Sequence, residues 1–299
     1  AASTPPKKGG DLKKAASSIQ AGESDESTIQ TLLARVATAM TYYLSAPSAA
    51  TGSTDLNRRL EAVLIERMQN ATTLGQRITF YRAFLNIAST VNARTVLKTM
   101  LNGPPVGNDR VSRSKGHPVA IAPGSDLPLK TKDRFDIVTK LLILGEPDAP
   151  GLLADLEKTE TSDDAKRYAY AAKAGVATAE NKAKFWNDFT TDKDIPESWI
   201  ESASGVFNSP RHADLTLPYL EKALAELPRL KRDRKIFFVD GWLAAFIGDQ
   251  KSEQALAIIN KFLADHPDLD NDLRLKILEN SDLIERAVKI RAKQLRMEN

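Results

Sequence analysis

Apolar residues recur at three- and four-residue spacing along almost the whole chain, and no segment shows the period of two that a half-buried strand requires. Leu32, Leu33, Val36 and Met40 share one face of a helix. Leu60, Val63, Leu64 and Met68 repeat the pattern, and so do Ile78, Tyr81, Phe84, Leu85, Ile87 and Ala88. Val91 to Leu101 predicts a shorter helix; Phe135, Val138, Leu141 and Leu142 predict the next, and Leu152, Leu153 and Leu156 follow Pro147 and Pro150. Thr161-Ser162-Asp163-Asp164 reads as a capping box opening a helix that ends at Gly175. Thr178-Ala179-Glu180 opens another, with Ala183, Phe185, Trp186 and Phe189 on its apolar side. Helices are further expected over about 194–206, 216–227, 229–247, 252–264 and 268–293, from the same periodicity. Short linkers between such helices make sequential neighbours antiparallel. The expected class is therefore all-α: an α-solenoid-like superhelix of antiparallel helical hairpins. The repeats are degenerate, and the tetratricopeptide and ankyrin signatures are missing.

Two segments depart from this pattern. Residues 1 to about 26 are rich in Ala, Ser, Lys, Pro and Gly and hold almost no large apolar side chains, so they read as a flexible tail or linker. Residues 102–129 contain Gly103-Pro104-Pro105, Gly107, Gly116, Pro118, Pro123-Gly124 and Pro128, a density that breaks regular structure. We expect an ordered excursion with a mobile tip there, with Val119–Ala122 as a short extended piece, inside one helical domain over 27–299. The start, Ala1-Ala2-Ser3-Thr4-Pro5-Pro6, shows no signal peptide and lacks an initiator methionine, as expected of a piece of a longer protein.

Composition narrows the chemistry. The 299 residues include no cysteine, which excludes disulfides, thiolate metal sites and a cysteine nucleophile. Lys and Arg number 42 against 39 Asp and Glu, interspersed, which leaves no electrostatic footprint for nucleic acid. The densest charged run, Lys231-Arg232-Asp233-Arg234-Lys235, reads as a solvated helix face. No stretch approaches the roughly 18 consecutive apolar residues of a membrane span. Asn70-Ala71-Thr72 is a glycosylation sequon at an expected helix junction. His117, His212 and His266 are far apart in sequence, so the H-E-x-x-H zinc motif is absent. Phosphate-binding loops, the dinucleotide fingerprint and the nucleophile elbow are missing too. The carboxylate pairs Asp163-Asp164 and Asp192/Asp194 are read as helix starts, where they complement the macrodipole. Trp186, Trp199 and Trp242 are read as core. Ser198–Leu224 is read as two packed helices joined through Asn208-Ser209-Pro210, with Arg211 and His212 in an exposed turn and Pro218 in the first turn of the second helix.

Three stretches resemble the C-terminal helical domain of zinc aminopeptidases of the aminopeptidase N family. They are "DRFDIVTKLLILGEPDA", closing on Gly145; "AKRYAYAAKAGVATAENKAKFW", with its small-residue turn, Ala179-Glu180, Lys182 and Trp186; and "SGVFNSPRHADLTLPYLEKALAELP", with Phe207, a polar break, Pro218-Tyr219 and an amphipathic continuation. The resemblance extends over about 27–295 and its motifs are structural. It implies a HEAT- or armadillo-like bowl that caps a catalytic domain and encloses the peptide-substrate chamber. The catalytic zinc and its ligands belong to that other domain, so the resemblance implies a chain inactive alone, without catalytic residues or metal ligands of its own. Its partners would be the catalytic domain and the peptide. Some relatives engage the far end of the peptide with basic residues of the bowl; Arg82, Arg134 and Arg211 are the candidates here, since Arg pairs bidentately with a carboxylate. The alternative is a stand-alone α-solenoid scaffold that binds a protein or peptide on its concave face.

Overall fold

The computed structural model describes residues 25–44, 53–102 and 129–298. The expectations for the N-terminal tail before Asp25, for most of the Gly/Pro-rich loop, for Val119–Ala122 and for His117 lie outside the described residues. Among those described, the chain is all-α, with fourteen α-helices and no strand. It divides into two compact units, Ala1–Leu129 and Lys130–Asn299.

The first unit holds α1 (Glu26–Thr38), α2 (Ser53–Gln69), α3 (Leu74–Ile87) and α4 (Val91–Asn102). Asp25 caps α1 by accepting from Thr28 N at 2.7 Å, and a π-helical turn, Ala39–Tyr43, extends it. α3 packs against both α1 and α2. The apolar stripes read from the sequence supply the core: Leu33, Val36, Leu64, Met68, Tyr81 and Phe84 are buried. Gly75 allows a close approach, because a Cβ there would lie 2.7 Å from Glu26 Oε2. Glu61 is the buried charge among the unit's described residues. It sits on the apolar face of α2, between Leu60 and Leu64, and accepts from Asn57 Nδ2 (3.1 Å), Ser89 N (2.8 Å), Thr90 N (3.2 Å) and both the Ser89 and Thr90 hydroxyls. A carboxylate from α2 thus serves backbone donors just ahead of α4, where the helix dipole is positive.

The second unit runs through α5 (Thr131–Ile143), α6 (Ala149–Thr159), α7 (Asp163–Ala174), α8 (Ala179–Thr190), α9 (Glu197–Phe207), α10 (Ala213–Ala225), α11 (Leu227–Asp233), α12 (Ile236–Leu243), α13 (Glu253–Asp265) and α14 (Asn271–Glu298). α5, α7 and α9 lie side by side, followed by α12 with its π-helical extension Ala244–Gly248, and then α14. α8, α10 and α13 pack in succession against one another. The core contains a contiguous set of rings, including Phe185, Phe189, Phe207, Trp242 and Phe246, with centroids 4.3–6.0 Å apart. Trp242 is buried and its indole N–H donates to Ala223 O at 3.1 Å, as a core tryptophan requires.

Several local expectations change. The single helix expected over about 229–247 is two helices, broken where Arg234 turns extended (φ −124°, ψ 161°). There Arg234 reaches Glu197 and lies over the Phe238 ring. Pro218 is inside α10, not in its first turn, because the helix begins at Ala213. Its missing N–H would have faced the carbonyl of Asp214 on an exposed side, where water can replace the bond. The cap of α7 is Ser162, accepting from Ala165 N at 3.2 Å, one residue later than expected. Asp192 is not at a helix start; it accepts from Asp194 N at 2.9 Å in the turn before α9. His212 is buried, not exposed.

Candidate functional site

The ends of α5, α7 and α9 meet. α5 closes with Gly145 in the left-handed region (φ 69°), Glu146 N bonding to Leu141 O and Gly145 N to Leu142 O, each at 3.0 Å. That motif leaves the last helical carbonyl, Ile143 O, to another partner, and His212 Nε2 donates to it at 2.9 Å. Because a carbonyl only accepts, Nε2 carries the proton and Nδ1 is the bare nitrogen. The last carbonyls of α7 and α9, Ala174 O and Phe207 O, both accept from Lys182 Nζ, at 2.9 and 2.7 Å. Gly175 packs into the same spot. A Cβ on it would lie 3.0 Å from Ile143 Cγ1, 3.1 Å from Ala172 O and 3.1 Å from Val206 Cγ1.

Three helix C-termini, each with a partial negative charge, are therefore collected by one ammonium and one imidazole. Lys182 is fully buried, with its ammonium 4.9 Å from the Phe207 ring centroid, a cation–π contact. Burial pulls its pKa down to about 8. Burial and the Lys182 charge pull His212 down to about 4, so the ring is neutral at pH 7. Two elements position these groups by ordinary rules. Thr178 caps α8 through Asn181 N, setting Lys182 on the face that also bears Phe185 and Phe189, and the short 3₁₀ turn Pro210–His212 swings the imidazole inward. The node has no face open to a substrate, so its chemistry is that of a tie, not of turnover.

Of the three arginine candidates, Arg82 lies in the first unit, and the two in the second unit, Arg134 and Arg211, do not form a group. Arg82 is exposed on α3 in the first unit. Arg134 lies in the first turn of α5 and donates to Glu160 at 3.1 Å. Arg211 is exposed beside His212, at the opposite end of α5, about 13 Å along a helix that rises 1.5 Å per residue. The 231–235 run is laced with ion pairs: Lys231 to Asp270 and Asp272, Arg232 to Asp233, and Arg234 to Glu197.

Three further groups were not flagged by periodicity. Asp249 follows the π-helical turn, and desolvation pushes its carboxyl up to about 7. Lys251 is half-buried, and Arg291 on α14 donates to its carbonyl. Among the described residues, no group of three or more His, Asp or Glu side chains is placed to hold a metal ion, and no helix is long and apolar enough to cross a membrane. No protein-family model matches the chain, and no curated protein sequence matches it.

Proposed function

We propose that the chain is a non-catalytic helical domain of a zinc aminopeptidase, one that caps the catalytic domain and helps enclose the peptide chamber. One observation carries the reading. The three stretches that resemble that family each contribute to the single buried node: Ile143 from the first, Ala174 and Lys182 from the second, Phe207 and His212 from the third. A lysine with two helix-end carbonyls as partners, and a small residue where three helix ends touch, are requirements of packing that a common fold would keep. The segments that look familiar are thus the segments that must be kept for side-by-side helices to close, and the reading is one of scaffold, with the reaction performed elsewhere.

The test is the coding sequence upstream of Ala1. An in-frame H-E-x-x-H, with a glutamate about 18 residues further on, supports the reading, since two imidazoles one turn apart and a third ligand hold the zinc. A complete upstream sequence without that motif sinks it. The alternative, a free-standing scaffold for a protein partner, draws on Phe237 and Ile236, which stand 78% and 54% exposed at the start of α12. Large apolar side chains at such exposure favour contact with another surface. Zinc-dependent release of N-terminal amino acids by the purified 299 residues alone would overturn both.

A further inference from the structure

A groove of about 530 Å³ opens between the start of α11 and the turn that joins α13 to α14. Its apolar lining is Pro228 from α11, Pro267 and Leu269 from the turn, and the buried Leu273 from α14. A volume of that order is ordinary for a small-ligand site. The turn is a fixed wall. The Arg274 guanidinium donates to His266 O at 2.6 Å, Pro267 O at 3.3 Å and Leu263 O at 3.4 Å. Asp270 accepts from Asp272 N and Leu273 N at 3.0 and 3.2 Å and pairs with Lys231, which ties α11 to the start of α14.

The polar groups along the groove divide into those already engaged and those still open. Lys231 is shared between Asp270 and Asp272, Arg232 pairs with Asp233, and Asp265 pairs with Lys261. Asp268 has no hydrogen bond or ion pair among the described residues. His266 Nδ1 lies 2.8 Å from Phe262 O. A carbonyl only accepts, so in the neutral ring Nδ1 carries the proton and Nε2 keeps a bare lone pair. The ring lies against Phe262, with centroids 4.3 Å apart, which fixes its plane. Both open groups are acceptors, two residues apart on one lip of an apolar groove. The two cations that could draw an anion there are already matched by carboxylates.

We propose that this groove binds a basic side chain, arginine or lysine, presented by a peptide segment. The stem lies on Pro228, Pro267, Leu269 and Leu273, and the cationic head meets Asp268 and His266 Nε2. Long basic side chains lay their methylenes along apolar surface while the head stays in water, which suits an open groove. The volume leaves room beside the stem for the backbone that carries it. The inference rests on the groove alone and holds whether or not the chain belongs to a peptidase.

The experiment is an NMR titration of the ¹⁵N-labelled full chain with N-acetyl-arginine N-methylamide, whose one charge is the guanidinium. We expect saturable shifts of the Leu269, Asp270 and Leu273 amides. N-acetyl-norleucine N-methylamide keeps the stem without the charge and should bind more weakly. So should n-butylguanidine, which keeps the charge without the backbone. Asp268→Asn should weaken arginine binding about threefold, the scale of an exposed ion pair. Asp163→Asn, at an exposed carboxylate of α7, should leave it unchanged. Absence of saturable shifts at the groove overturns the proposal, as does unchanged affinity in Asp268→Asn. Equal affinity for the norleucine probe overturns the cationic head, and equal affinity for n-butylguanidine overturns the peptide occupant. Both probe comparisons use the wild-type chain, so they decide even if the variant does not fold.

Discussion

Glu61 in the first unit and Lys182 in the second solve the same problem with opposite signs. Each is a fully buried ion in a helix face otherwise made of apolar residues. Glu61 accepts at the start of α4, where backbone N–H groups lack partners; Lys182 donates at the ends of α7 and α9, where carbonyls lack them. The difference lies in completeness. The carboxylate takes five donors, from two amides, two hydroxyls and a side-chain amide. The ammonium has two carbonyl partners and a ring. A buried charge is tolerated in proportion to the bonds it makes, so the first tie should be the stronger of the two.

Truncation puts that ranking at risk. Glu61→Ala strands several buried donors at once and should destabilise the first unit by about 3–5 kcal/mol, read by urea unfolding and by faster amide exchange in α4. Lys182→Met strands two carbonyls but also removes a desolvated charge, so a smaller loss of about 1–3 kcal/mol is expected at neutral pH. A larger loss for Lys182→Met than for Glu61→Ala would break the comparison. The proton adds a signature. Folded Lys182 titrates at about 8, below the 10.5 of the unfolded chain, so the unfolded state holds more protons between those values. Its contribution to stability is therefore full above 10.5 and lost as pH falls to 8, and the variant should lack this slope.

Smaller effects sharpen the picture around the same node. His212→Phe loses the bond to Ile143 O at about 1–2 kcal/mol. Folded His212 titrates at about 4 against 6.5 unfolded, so its contribution is complete above 6.5 and falls away toward pH 4. Asp249 runs the other way. Its folded carboxyl at about 7, against 3.8 unfolded, makes its contribution full below 3.8 and lost as pH rises through 7. Between pH 4 and 6.5 the two slopes oppose each other, so Asp249→Asn should steepen the acid loss that His212→Phe relieves. Gly175→Ala should cost about 1 kcal/mol by overpacking Ile143 and Val206, measured as a fall in melting temperature.

Helix existence was legible because burial imposes a period on the sequence. Leu64 and Met68, or Phe185 and Phe189, cannot avoid declaring a face. The buried ions were also within reach by that rule. Lys182 stands three residues before Phe185, and Glu61 stands three before Leu64, so each sits on an apolar stripe where a solvated charge has no place. Composition argues against such a reading, because lysine and glutamate are almost never fully buried. The break at Arg234 left no local mark, since Lys and Arg are good helix formers. It is made by distant partners, Glu197 and Phe238. The early start of α10 was hidden by Pro218, whose usual place is a first turn. The bond from Gln250 to Thr216 was invisible for a deeper reason: it joins residues 34 apart in the chain, which no local spacing encodes.

The placement of the indoles has a practical reach. Trp186, Trp199 and Trp242 are the chain's three tryptophans, and all lie in the second unit. Trp186 and Trp242 stand 5.9 Å apart between ring centroids, while Trp199 sits against Tyr170 at 5.5 Å. Emission excited at 295 nm therefore comes from the second unit. The Trp186–Trp242 pair is close enough for exciton coupling, so a paired near-ultraviolet dichroism band follows the packing of α8 on α12 directly, in the unmodified protein and without any attached dye.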